Sequence, residues 1–299
     1  MLLAACASAP PMPPAADLFR DELFAAPPTP IDPAAALALS PAMRDYLTGA
    51  FANHRKDPDR RRRLIDALYR GALKLEYDAG ATRTAAEAFD ARAGNCLALV
   101  MMTAAFAKEL GIRVQYQAVL GEETWNRADE LYIAIGHVNL VLEETLDPVG
   151  FVKTTFAPMV VDFLPPRDAS ALRTRPIGEH TVIAMYLNNR AVESLTQGRA
   201  SEAYWWAREA IRTDPQWLSA YITLGVVYRQ RQHPELAERA LLRVLEREPD
   251  NLQALSNRVL ALRDLGRGAE AEMLTQRLAA LDPNPPFSYF REGQAVLRE

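Results

Sequence analysis

An apolar run without charge, LALVMMTAAFA at 97–107, closes with Lys108-Glu109-Leu110-Gly111. Eleven apolar residues are too few for a bilayer, which takes roughly 20, so the run predicts a buried helix. Asn95 stands at its N-cap and Gly111 just past its C-terminus. Upstream, helices are expected at about 41–53 and 59–73, the second with Leu64, Ile65, Leu68 and Tyr69 on one face. Thr84 and Glu87 have capping-box spacing over a short helix at 85–89. Downstream the period drops to two, as Val114, Tyr116, Ala118 and Leu120 alternate with Arg113, Gln115 and Gln117. LYIAIGHVNLVL at 131–142 and MVVDFL at 159–164 read as the next two strands, with 121–129 a polar loop between the first and second and Pro165-Pro166 a stop. Helices followed by strands in succession predict an α+β domain with antiparallel pairing.

From about 181 the chain repeats. Pro215, Pro249 and Pro283 stand 34 residues apart, with Ala203, Ala237 and Ala271 at one fixed offset and Ala191, Gly225 and Val259 at another. Helix pairs need small residues where they approach, and proline marks where the second helix ends. The pattern resembles the tetratricopeptide repeat. The middle unit, with Leu224, Gly225, Tyr228 and Pro249, matches best, and the third departs at Val259 and Leu262. Residues from about 287 predict a capping helix. Tyr204, Trp205, Trp206, Trp217 and Tyr221 make the start of the repeats unusually aromatic, as a peptide groove or a packing surface would be.

Composition narrows the choice of partner. A length of 299 residues suggests two domains, and a net charge of -4 with pI near 5.7 argues against nucleic acid. The run Arg60-Arg61-Arg62-Arg63 lies between Asp57, Asp59 and Asp66 and predicts a solvated helix face. The two cysteines, Cys6 and Cys96, suggest no disulfide framework. Leu3-Ala4-Ala5-Cys6 resembles the lipobox of bacterial lipoproteins, which implies a lipid anchor at Cys6 followed by a Pro/Ala tether at 7–16. A basic n-region and an apolar h-region do not precede it.

Candidate chemistry gathers around Cys96, placed in the first turn of the apolar helix where the dipole favours a thiolate. Of the four histidines (His54, His137, His180 and His233) only His137 falls in a predicted strand. Asp162 is the lone charge in the next strand and needs a donor, since desolvating a carboxylate is expensive. Cys96 as nucleophile, His137 as base and Asp162 as orienting acid form a triad. A satisfied core histidine and a turn-capping aspartate are the plain alternatives. Metal binding is a poor fit, because no CxxC or HxxxH spacing occurs, and no Gly-rich phosphate loop is present.

The order TRTAAEAFDARAGNC, GHVNLVL, VVDF over 82–162 resembles the transglutaminase-like branch of the papain-like cysteine enzymes, especially bacterial envelope proteins that fuse this core to tetratricopeptide repeats. Gly136-His137-Val138-Asn139 lacks the aromatic that often follows this histidine. The resemblance implies an α+β papain-like core followed by an all-α repeat solenoid. The expected division is 1–34 signal remnant and tether, 35–180 thiol domain, and 181–299 three repeats with a capping helix. It implies a lipid-anchored protein of the cell envelope, facing the periplasm, that hydrolyses an amide bond of a peptide or peptide-like substrate without metal or cofactor. Two alternatives stand beside it: acyl transfer to an amine through the same residues, and a non-catalytic adaptor whose repeats hold a protein partner.

Overall fold

The computed structural model describes residues 15–51, 59–70, 73–120, 124–128, 131–143, 157–163 and 173–283. Cys6, His54, the Pro165-Pro166 stop and the expected capping helix from about 287 lie outside them. Contacts divide the chain into two units, Thr29–Arg199, and Met1–Pro28 together with Ala200–Glu299.

In the first unit, the thiol unit, α1 (Pro41–Phe51) and α2 (Arg60–Ile65) come first, the latter continuing into a π-helical turn, Asp66–Arg70. The strand pair β1 (Glu76–Tyr77) and β2 (Ala93–Gly94) flanks α3 (Ala85–Ala91), whose Thr84/Glu87 capping box is complete. Then comes α4 (Cys96–Glu109), buried from Cys96 to Ala107. Asn95 Oδ1 accepts from Ala98 N at 2.9 Å, and Gly111 leaves the helix at φ +70, a left-handed exit that glycine makes without strain.

Beyond α4 lie β3 (Arg113–Leu120), β4 (Thr124–Ala128), β5 (Leu131–Ile135), β6 (Val138–Glu143), β7 (Met159–Val161) and β8 (Arg173–Ile177), then α5 (Glu179–Thr196). One antiparallel sheet has the order β7-β6-β3-β8, with α4 packed on β3 and β6. Here the apolar run at 131–142 proves to be two strands: β5 pairs with β4 in a separate hairpin, and β6 joins the main sheet. The expected polar loop therefore contains β4. Pairing energy with a neighbour decided this, and hydropathy does not report it. β8 has no apolar alternation and contains Pro176, which an edge strand tolerates.

The arginine run is not a solvated face. Arg61 is 2% exposed, and its guanidinium donates to Leu142 O, Ala157 O and the Asp59 carboxylate. Arg60 donates to Leu110 O, and Arg63 to Ala50 O. Charged forks here supply donors to main-chain carbonyls that have lost water.

The second unit, the repeat unit, contains α6 (Ala200–Thr213), α7 (Leu218–Gln230), α8 (Pro234–Leu245), α9 (Leu252–Asp264) and α10 (Gly268–Leu281), each packed on the next. Pro215, Pro249 and Pro283 follow α6, α8 and α10, and Ala203, Ala237 and Ala271 are buried. A Cβ added at Gly225 would lie 3.0 Å from Leu241 Cγ and 3.4 Å from Ala237 O, so the small residues face each other across α7 and α8 as the spacing requires. This is an all-α repeat solenoid.

Two boundaries differ from the expected division. α5, expected as the first repeat helix, groups with the thiol unit, so the break falls at Arg199/Ala200 instead of 180/181. Its polar side chains explain this: Glu193 accepts from Thr82 N, Arg190 donates to Thr82 O, and Glu179 accepts from the Tyr116 hydroxyl. Residues 15–28, expected within a tether, belong to the repeat unit, with Leu18 and Phe24 buried.

Candidate functional site

Two places in the molecule concentrate chemistry. In the thiol unit, the Asn95 cap fixes the start of α4 and so the position of Cys96, the first helical residue. Asn95 Nδ2 also donates to Thr82 Oγ1 at 2.9 Å, tying this turn to the strand-helix connection before it. Gly94 admits the close packing: a Cβ there would meet Ala98 Cβ at 2.9 Å.

His137 is not inside a strand. It occupies the break between β5 and β6, with its carbonyl accepting from Val119 N at 2.9 Å. Asp162 sits just past the end of β7. The β6–β7 register sets Leu140 opposite Val161, which brings the residues on either side of that pair, Asn139 and Asp162, together. His137 Nε2 lies 2.8 and 2.9 Å from the two Asp162 carboxylate oxygens, and Asn139 Nδ2 donates to the same carboxylate at 3.2 Å. The His137 side chain is 3% exposed and that of Asp162 17%.

Burial opposes a charge on His137, but the Asp162 carboxylate and the adjacent Cys96 outweigh it and push the imidazole up to about 9. With Nε2 committed to Asp162, Nδ1 is the nitrogen left for Cys96; it is buried and makes no geometrically complete hydrogen bond. The structure thus brings together Cys96, His137 and Asp162. The remaining described histidines stand elsewhere, His180 in the first turn of α5 and His233 before α8.

Two members of this cluster escaped the sequence reading. Asn139 stands two residues after His137, and the period-2 rule puts both on the face that meets Asp162. Tyr77 is brought beside Gly94 by the β1–β2 pairing, and partial burial together with the charge of Cys96 pushes its phenol up. No local pattern announces Tyr77, because a non-local strand pair positions it. No group of three or more His, Cys, Asp or Glu able to hold a metal occurs among the described residues.

The second place is the face of α6, α7 and α8. Residues 15–25 lie on it as two short 3-10 turns, Ala15–Leu18 and Asp21–Leu23, joined through Phe19 and Arg20. Tyr204 and Tyr228 are fully buried beneath this segment. The Tyr204 hydroxyl donates to Asp21 Oδ1 at 2.6 Å and accepts from Arg20 N at 2.8 Å, while the Tyr228 hydroxyl donates to Leu18 O at 2.6 Å. Trp205 Nε1 donates to Ala25 O at 2.7 Å. The Phe24 ring stacks on Tyr204 with centroids 4.0 Å apart. Burial pushes both phenols up, Tyr228 to about 12, so both hydroxyls remain donors through the neutral range. Of the aromatic cluster noted in the sequence, Tyr204 and Trp205 thus serve this face, and Tyr228 completes it.

No known protein-family pattern matches the chain, and no curated protein matches it. Among solved structures, it is similar to the Arabidopsis OM64 TPR domain (16% identity, TM-score 0.35), covering 38% of this chain and 95% of that one. It is also similar to the first TPR of Spaghetti (RPAP3) bound to the HSP90 peptide SRMEEVD (20% identity, TM-score 0.34, 39% and 96% of the two chains). A third is the MamA protein (19% identity, TM-score 0.31), where 33% of this chain covers 55% of that one, so this chain spans about half its length. The first two are named as tetratricopeptide-repeat (TPR) domains. Against these neighbours the expected main function, an envelope cysteine hydrolase cleaving an amide bond, is set aside.

Proposed function

We propose that the chain is an adaptor that holds a protein partner on its repeat unit through a short peptide segment. The observation that supports this is the face of α6–α8, where Tyr204, Trp205 and Tyr228 make hydrogen bonds to main-chain groups of a short segment of two 3-10 turns, and Tyr204 stacks on an apolar anchor from it. Main-chain hydrogen bonds with one or two side-chain anchors are how a groove recognises a peptide. Complementation of a deletion strain tests the reading. Cys96→Ala should serve as well as wild type, whereas Tyr204→Ala with Tyr228→Ala should lose function while keeping helical content. A null Cys96→Ala alongside a fully active repeat variant would overturn it.

A second reading is favoured by one observation, the His137–Asp162 pair facing the first residue of α4. It treats the thiol unit as a transglutaminase-like acyltransferase. Cys96 Sγ attacks an acyl donor, whose leaving group departs with a proton from His137. The thioester then passes its acyl group to an incoming amine, and the proton that amine sheds returns to His137. An activated acyl ester should leave its acyl mass on Cys96, and a primary amine should remove it as the amide. Loss of that mass gain in Cys96→Ala but not in wild type is expected; its absence from wild type would end this reading. Location in the cell envelope, through lipid on Cys6, is proposed on the Leu3-Ala4-Ala5-Cys6 pattern.

A further inference from the structure

The segment on the repeat face has a pattern of its own. Asp17-Leu18-Phe19 and Glu22-Leu23-Phe24 are two acidic–Leu–Phe triplets five residues apart. The first buries its Leu18 and the second its Phe24, at 3% and 6% exposure, while Asp17 and Glu22 stay exposed. The face beneath is basic. Arg208 pairs with Asp21 at 3.0 Å and stands over the Phe19 ring, and Arg239 and Arg243 both reach the Asp17 carboxylate, at 3.4 and 3.3 Å. Two buried anchors inside a rim of ion pairs whose carboxylates stay half exposed are the build of a peptide interface.

We infer that the face of α6–α8 is a receptor for acidic peptides carrying Leu and Phe anchors, and that residues 15–25 are its resident intramolecular ligand. A partner with such a segment binds by displacing the chain's own. This rests on the adaptor reading and names the partner's chemistry. An intramolecular ligand holds its site at a high effective concentration, so the free face is scarce and a partner must compete for it.

The test uses the full chain and a labelled peptide of residues 15–25, AADLFRDELFA, read by fluorescence polarisation. Wild type should bind it weakly. A chain opened by Leu18→Ser and Phe24→Ser should bind it at least tenfold tighter. The same peptide with Phe24→Ser should lose at least tenfold on the opened chain, and adding Arg239→Glu and Arg243→Glu to that chain should abolish binding. Should the opened chain lose helical content, Asp17→Lys keeps both anchors and should give about a threefold gain. A folded, opened chain that binds AADLFRDELFA no better than wild type overturns the inference. If it binds instead a peptide with lysines in place of the acidic residues, the acidic specificity fails and the adaptor reading stands. If it binds no peptide at all, both fail.

Discussion

The two units solve the same problem, burying apolar helices, with polar contacts of very different reach. In the thiol unit they span the whole fold: Arg61 reaches Leu142 and Ala157 across 81 and 96 residues, and Thr82 reaches Glu193 across 111. Within α6–α10 they stay inside a repeat or reach the next, as in Glu238 with Arg258 across 20 residues and Arg229 with Asp264 across 35. A solenoid is held by nearest neighbours, whereas an α+β unit depends on contacts that close long loops. The exception in the repeat unit is the segment 15–25, whose contacts span 180 residues and more and which behaves as a ligand laid on a finished surface.

Breaking a long-range contact should therefore cost most. Arg61→Ala removes the donor of two carbonyls and of the Asp59 carboxylate inside the thiol unit, and should destabilise that unit by roughly 3–5 kcal/mol. Denaturant unfolding followed by a probe in each unit should show the thiol transition shifting alone. A shift of both transitions together would mean that the two units are one cooperative block.

Titration comes next. His137 is raised from 6.5 to about 9 in the folded state, so its contribution is fully present below pH 6.5 and is lost as pH rises through about 9. Thiol-unit stability should fall over that window by up to about 3 kcal/mol, with no matching change in the repeat unit. Asp162→Asn should flatten the profile, since it removes the carboxylate that holds the proton on the ring. A profile that keeps its slope in Asp162→Asn would assign the effect to another group.

A local change in the repeats should cost less. Ala237→Leu overfills the space opposite Gly225 and should lower the repeat unit's stability by roughly 1–3 kcal/mol, read as a lower Tm for that transition. Unchanged stability would mean that the helix register counted from the prolines is wrong. The smallest effect is expected at Cys6, where Cys6→Ser should shift the protein from the detergent phase to the aqueous phase and leave both unfolding transitions in place. Equal partitioning of the two forms would remove the lipid anchor from the picture.

What the sequence determined by itself is the short-range structure. The Asn95 cap, the Thr84/Glu87 box and the Gly111 exit each depend on groups within four residues of one another, so the hydrogen bonds that fix them are written in adjacent positions. The 34-residue period was legible for the same reason, because each repeat packs on the next in sequence. Cys96, His137 and Asp162 could be named from residue type, but their meeting depended on the β6–β7 register, which also recruited Asn139, and on the pairing of β1 with β2, which brought in Tyr77. Only the tertiary structure could turn Arg60, Arg61 and Arg63 onto main-chain carbonyls, assign α5 to the thiol unit, or seat residues 15–25 on Tyr204 and Tyr228. Those outcomes turn on which distant carbonyl, carboxylate or ring lies within reach after folding. The energies of burial and of hydrogen bonding that decide them arise between partners far apart in the chain.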